Sequence, residues 1–276
     1  MSISVLMSVY KSEKPSFLDR AIQSIWTDQT RRPDKIILVL DGPLGDDLLY
    51  VVKKWKCEIG PILKILVNSQ NIGLTKSLIN GLNEISSEYI ARMDTDDISL
   101  PDRFEKQSQF LDEHPDISVV GSDIIEFSSN NDNFGVRRFP RTTKEAINTI
   151  YKANPLAHPA VMMRKSMFDN GISYNPNCRT TQDLALWFDV LTAGYEVANL
   201  GEVLLKFRRE ESIYHRRSNW KDSWLEFKIH EKGIYKLYGI SPYKALFPVA
   251  RLMIRFLPSI VLKFIYNGRL RKVIVE

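Results

Sequence analysis

Hydrophobic positions along this chain fall into two alternating rhythms. Ile3-Ser4-Val5-Leu6-Met7-Ser8-Val9 and Ile36-Ile37-Leu38-Val39-Leu40 are short, nearly continuous apolar runs, each followed by turn residues. Such runs predict buried strands over 2–10 and 35–43, with others over 63–68 and 89–93. Between them the apolar residues recur at helical spacing. Phe17, Leu18, Ala21, Ile22 and Ile25 mark a helix ending at Trp26, and 48–55 and 74–85 carry two more. Strands alternating with helices over about ninety residues predict right-handed crossovers and a parallel sheet. In such a sheet ligands lie beyond the carboxyl ends of the strands. Three predicted strand ends are polar: Ser8 with Tyr10, Asp41, and Asp94 with Asp96.

The rhythm continues less regularly. Pro101 predicts the first turn of a helix with Asp97 or Ser99 near its N-terminus. A strand is expected over 117–127, then a polar cluster over 128–133, a hairpin return over 136–140 and a helix over 143–151. Leu156 to Met163 is strand-like. Leu184, Trp187, Phe188 and Leu191 form the apolar face of a helix that carries Asp183 in its first turn and stops at Gly194.

Composition excludes several classes. The chain is 44% hydrophobic and 26% charged over 276 residues, enough for a real core. Cys57 and Cys178 are far apart and have no CxxC spacing, which argues for a reducing compartment and against a disulfide framework or zinc site. No signal peptide pattern opens the sequence, and no run of about eighteen uncharged apolar residues predicts a spanning helix. Charge is uneven. From Val203 to Glu276 there are 16 Lys and Arg against 6 Asp and Glu; that is +10, which leaves −5 of the overall +5 for the preceding part. An anionic partner is expected for the basic quarter, nucleic acid and a membrane surface being the two candidates.

The densest chemistry lies at Asp94-Thr95-Asp96-Asp97. Three carboxylates in four residues repel one another unless a cation sits among them. Hard oxygen ligands at a strand end suit a divalent ion that also holds phosphate oxygens. If the strand continues, alternation puts Asp94 and Asp96 on one side and Thr95 opposite; otherwise the cluster is an acidic turn. Neither GxGxxG nor GxxxxGK[ST] occurs, so a phosphate has no glycine cradle here. Asp183 reads either as a carboxylate favoured by the helix dipole or as a general base.

The ordered segments "ISVLMSVY", "IILVLDGP", "NIGLTKSLINGL" and "EYIARMDTDDISLPDRFEKQ" resemble family 2 inverting glycosyltransferases. The similarity runs to about residue 210. It implies an α/β GT-A fold: a mixed, mostly parallel sheet flanked by helices, with a basic C-terminal helical extension. It implies a catalytic domain over 1–215, donor half about 1–100 and acceptor half about 101–215, and an extension over 216–276. By the resemblance, Tyr10 and Asp41 bind the uracil of a UDP-sugar, Asp94 lies near ribose and metal, and Asp96 holds a Mn2+ or Mg2+ ion that bridges the diphosphate. Asp183, in a variant "ED" motif with Gln182 replacing glutamate, is implied as the base. Arg208 and His215 are candidates for the diphosphate from a loop over 204–217. Asp97 is a further metal candidate, and His158 contacts sugar or phosphate or is structural. Two departures are Ser8 where the family usually has proline, and a single aspartate, Asp41, before Gly42.

The style of these segments is similar to O-antigen enzymes that extend N-acetylglucosamine on diphospho-undecaprenol. The expected reaction is β-linked transfer of galactose or glucose from the UDP-sugar to that lipid acceptor, in lipopolysaccharide and surface-polysaccharide synthesis. The segment 245–266 is apolar, is interrupted by Arg251, Arg255 and Lys263, and is expected to be broken at Pro248 and Pro258. It is expected to lie in an anionic headgroup plane with its arginines toward the lipid, on the inner face of the cell membrane, or to pack on protein. The alternatives are another donor or acceptor on the same fold, and a nucleic-acid-binding protein using the tail.

Overall fold

The computed structural model describes residues 1–128, 132–209 and 220–255. His215, with Tyr214, Arg216 and Arg217, lies outside the described residues, as do the middle of the 128–133 cluster and everything from residue 256 onward. Strands β1 (Ile3–Val9), β2 (Lys35–Asp41), β3 (Leu63–Asn68) and β4 (Tyr89–Arg92) pair in parallel in the order β3-β2-β1-β4. Helices α1 (Pro15–Trp26) and α2 (Asp46–Ile59) cover one face, and α3 (Leu74–Leu82) covers the other. The split follows from strand alternation. Ile3, Val5, Met7 and Val9 pack with Leu18 and Ile22 of α1, whereas Leu6 packs with Leu78 and Leu82 of α3. A side chain at residue 81 would collide with Leu6, so α3 approaches β1 this closely because Gly81 has none.

Chain order reverses between β1 and β4. The crossovers through α1 and α2 run one way and the crossover through α3 returns past β1. The carboxyl ends of β1 and β4 therefore border a crevice at a topological switch point, the place where open α/β sheets bind ligands.

Beyond β4 the sheet continues through β8 (Met162–Arg164), β6 (Ile117–Phe127), β9 (Glu196–Arg208) and β5 (Ile98–Ser99), and β7 (Asn133–Arg137) pairs with β6 as a hairpin. β8, β7 and β5 run against the rest, so the sheet is mixed and mostly parallel. The remaining helices are α4 (Arg103–Glu113), α5 (Thr143–Ile150), α6 (Lys165–Asp169), α7 (Gln182–Thr192), α8 (Trp220–Tyr238) and α9 (Pro242–Arg255). Ile234 of α8 joins the core that holds Trp187 and Phe188 of α7, so α8 packs on α7.

Four expectations change. Residues 156–163 are not one strand: Pro159 sits in a 3-10 turn, His158–Ala160, and pairing starts only at Met162. Residues 204–208 are not loop, because Leu205 and Phe207 extend β9 along Ile124 and Glu126 of β6. Neither Asp97 nor Ser99 caps α4; the N-cap is Asp102, and the Asp97 carboxylate is used elsewhere. Pro248 does not break α9, which runs through it.

Candidate active site

β4 stops at Arg92, so the alternation expected for Asp94 and Asp96 does not apply; 94–97 is a turn. The turn nevertheless gathers the acids. One carboxylate oxygen from each of Asp94, Asp96 and Asp97 lies within 4.8 Å of the others. The chain is held in this shape from two sides. Thr95 Oγ1 donates to Glu13 on the turn after β1 (2.7 Å). The backbone N–H of Arg208 donates to Asp97 Oδ1 (2.7 Å), and Arg208 Nε donates to the carbonyl of Asp96 (2.7 Å). The Arg208 guanidinium is sandwiched between the rings of Phe17 (3.8 Å) and Phe127 (4.4 Å).

Two buried arginines lie beneath the acids. Arg92 is paired with Asp94, and its Nε and Nη1 have no hydrogen-bond partner. Arg103 donates to the carbonyls of Arg92 (2.8 Å) and Val161 (3.2 Å), so it ties α4 to the acidic turn rather than reaching outward. Burial and the charge of Arg92 pull Arg103 down to about 9.

Positive charge here is insufficient for the carboxylates. Burial first, then Asp94 and Glu13, pushes Asp96 up to about 7. Burial, Asp96 and Asp94 push Asp97 well above the ordinary carboxylate range, and its Oδ2 is buried without a partner. Oxygen-only donors that close, short of countercharge and with an orphaned buried oxygen, fit a hard divalent cation.

The neighbouring polar residues fall into place unequally. Tyr10 follows β1 at the rim and Asp41 ends β2 beside it. Asp41 is buried and accepts from the N–H groups of Ile72 (2.8 Å) and Gly73 (3.0 Å) and from Asn68 (3.2 Å). It therefore fixes the loop before α3, and one of its four lone-pair positions is left for a ligand. His158 is in the core, donating to or accepting from Tyr174 Oη (2.7 Å), with its pKa far below the usual value because of burial and Arg92. Its Nε2 is thus engaged within the core.

Asp183 opens α7 after Thr181, whose backbone is left-handed (φ 58°). Its Oδ2 accepts from Asn154 Nδ2 (2.6 Å), and the backbone amides of Asp183 and Leu184 at the start of α7 favour its charged form. Burial holds its pKa above the usual value despite these bonds and the charge of Arg92. Arg92 acts on both Asp94 and Asp183, so the acid cluster and the α7 carboxylate share one electrostatic neighbourhood. The sequence reading missed Glu13 and Asn154 as parts of this site. Glu13, in the turn after a predicted strand, had a visible signal; Asn154 is set by contacts from distant segments.

A model of the family described as glycosyl transferase family 2 matches residues 4–171. The amylovoran biosynthesis glycosyltransferase AmsE of Erwinia amylovora is 33% identical over 96% of this chain and 97% of its own length. An Escherichia coli protein described as UDP-Gal:alpha-D-GlcNAc-diphosphoundecaprenol beta-1,3-galactosyltransferase is 28% identical over 98% of this chain and 96% of its own. Among solved structures, S. aureus TarS 1–349 in complex with UDP-GlcNAc superposes with a TM-score of 0.68 at 18% identity, covering 99% of this chain and 78% of that one. The shared fold is GT-A.

Proposed function

The chain belongs to glycosyltransferase family 2, and from that premise we propose that it transfers a hexose, galactose or glucose, from a UDP-sugar to N-acetylglucosamine on diphospho-undecaprenol. The observation that carries this reading is the acid trio Asp94, Asp96 and Asp97 gathered at the switch point of the sheet. Asp94 and Asp96, with Asp97 beside them, would hold Mn2+ or Mg2+, and that ion supplies positive charge for a diphosphate. Tyr10 and the remaining lone pair of Asp41 face the uracil. Arg208 keeps the acidic turn in shape.

Asp183 takes the proton of the attacking acceptor hydroxyl as its oxygen bonds the anomeric carbon. The bond from that carbon to the diphosphate oxygen breaks on the opposite face, and its electron pair leaves with UDP. An α-linked donor thus yields a β-linked product. The E. coli relative's described activity supports this donor and acceptor.

The C-terminal hairpin supports a lipid-borne acceptor. Two cations of α9 turn inward: Lys244 lies over Tyr238 (3.8 Å) and Arg251 pairs with Glu226 (3.0 Å). Tyr243, Leu246, Val249 and Met253 are exposed along one side, an inversion of the usual pattern. This corrects the expectation that Arg251 faces lipid. No helix among the described residues is long and apolar enough to cross a membrane. An amphipathic helix lying on an anionic inner membrane surface accounts for the exposed stripe.

Thermal unfolding of the full chain with UDP, with and without Mn2+, tests the donor site. Protection by UDP that requires the ion is expected. Equal protection without it defeats the metal assignment, and a screen of UDP-hexoses on a synthetic N-acetylglucosamine-diphospho-lipid tests donor and acceptor.

A further inference from the structure

Asp183 is gripped by a residue from another segment. Asn154 leaves the last turn of α5, where Lys152 and Ala153 donate to the Thr149 carbonyl (2.9 and 3.0 Å). Pro155 follows and restricts the backbone of Asn154. The Pro155 carbonyl is held in turn by the buried Asn199, whose Nδ2 also donates to Pro140 (3.1 and 2.6 Å). Six residues further on, Arg103 and Gln107 anchor the carbonyls of Val161 and Ala160. The Asn154 amide thus reaches Asp183 Oδ2 at 2.6 Å from a backbone clamped on both sides.

We propose that Asn154 is the positioning residue of the catalytic base: it commits Oδ2 of Asp183 to a fixed hydrogen bond, aims the carboxylate, and leaves Oδ1 to take the acceptor proton. The inference rests on the reading of Asp183 as base. A donor on the ionised form favours it, so Asn154 opposes the burial that raises the Asp183 midpoint. The other groups acting on this carboxylate are Arg92 from β4 and Glu226 from α8, of opposite sign, with the Tyr174 hydroxyl nearby. Lys236 of α8 faces α7 further along, at Asp189 (3.5 Å).

The test is a carbon-13 titration of aspartate side-chain carboxyls in the full chain with Mg2+ and UDP, the Asp183 signal being assigned by its loss in Asp183→Asn. In Asn154→Ala the midpoint is expected to rise by roughly one unit. The acid limb of kcat, measured with a UDP-hexose and the synthetic diphospho-lipid acceptor, should move with it, while KM for the donor is unchanged. Asn154→Asp, nearly isosteric, keeps the test valid should the alanine variant fold poorly: two carboxyls at this separation titrate in two steps, the upper one well above the wild-type midpoint. Unchanged midpoints in variants that retain UDP protection overturn the proposal. Undiminished turnover by Asp183→Asn overturns the base assignment itself, so the two failures are distinguishable.

Discussion

The backbone N–H of Arg208, the last residue of β9, donates to Oδ1 of Asp97 across 111 positions of sequence, at 2.7 Å. The acidic turn is therefore completed by the far part of the sheet, and its shape depends on a strand distant in sequence. Arg208→Ala keeps this backbone bond but removes the bond to Asp96 and the stacking on Phe17 and Phe127. Mn2+ binding, read as the metal dependence of UDP protection, is expected to weaken about tenfold. Arg208→Lys should rescue only partly, since an ammonium lacks the planar fork. Unchanged metal dependence in Arg208→Ala would show that the side chain is dispensable to the turn.

Crowded carboxylates cost stability when no ion is bound. Asp97→Asn removes one charge from the trio, so at pH 8 the metal-free protein should gain about 1–2 kcal/mol in chemical denaturation. The stabilisation conferred by Mn2+ should shrink in the same variant. A loss of metal-free stability would mean that the repulsion is already relieved within the fold.

His158 sets a pH dependence of known sign. Below about pH 6.5 the unfolded chain protonates this imidazole. In the folded protein burial and Arg92 keep it neutral well below that pH. The unfolded state then binds the extra proton, so stability falls as pH drops, by at most about 1.4 kcal/mol per unit. Urea unfolding of His158→Gln beside the wild type isolates the effect from Asp96 and Asp97. The wild-type advantage should narrow between pH 7.5 and 5, and a constant difference would contradict a neutral buried imidazole.

Thr181 is the one non-glycine residue with positive φ among those described, and it is β-branched. Its hydroxyl bonds the Thr180 carbonyl (2.5 Å) instead of capping α7. Thr181→Asn, which tolerates this backbone better, is expected to raise stability by about 1 kcal/mol and Tm by a few degrees. A fall in Tm would show that the threonine methyl packs usefully.

The exposed stripe of α9 makes a prediction about lipid. Leu246→Ser with Met253→Ser should reduce co-sedimentation of the full chain with phosphatidylglycerol vesicles by several fold. UDP protection should be untouched. Equal sedimentation would move membrane contact off α9.

The sequence determined the framework of this protein. Strands 63–68 and 117–127 have the expected bounds, because turn-forming and polar residues flank both segments, Gly60-Pro61 and Pro115-Asp116 before them and polar clusters after. Alternation of strand and helix was enough to predict a parallel α/β sheet and to put Tyr10, Asp41 and the acidic turn at strand ends; the GT-A class came from the family resemblance of the ordered segments. Tertiary structure decided what those residues do. The resemblance suggested a loop over 204–217, but pairing with β6 makes 204–208 strand and brings Arg208 to the acids. His158, with a ligand role and a structural role both open in the sequence, is buried against Tyr174, and Arg92 and Arg103 are buried too, since burial is a property of what packs over a residue. Asn154 had no local signal: its partner lies 29 residues on, and only the packing of α5 against α7 brings the two together.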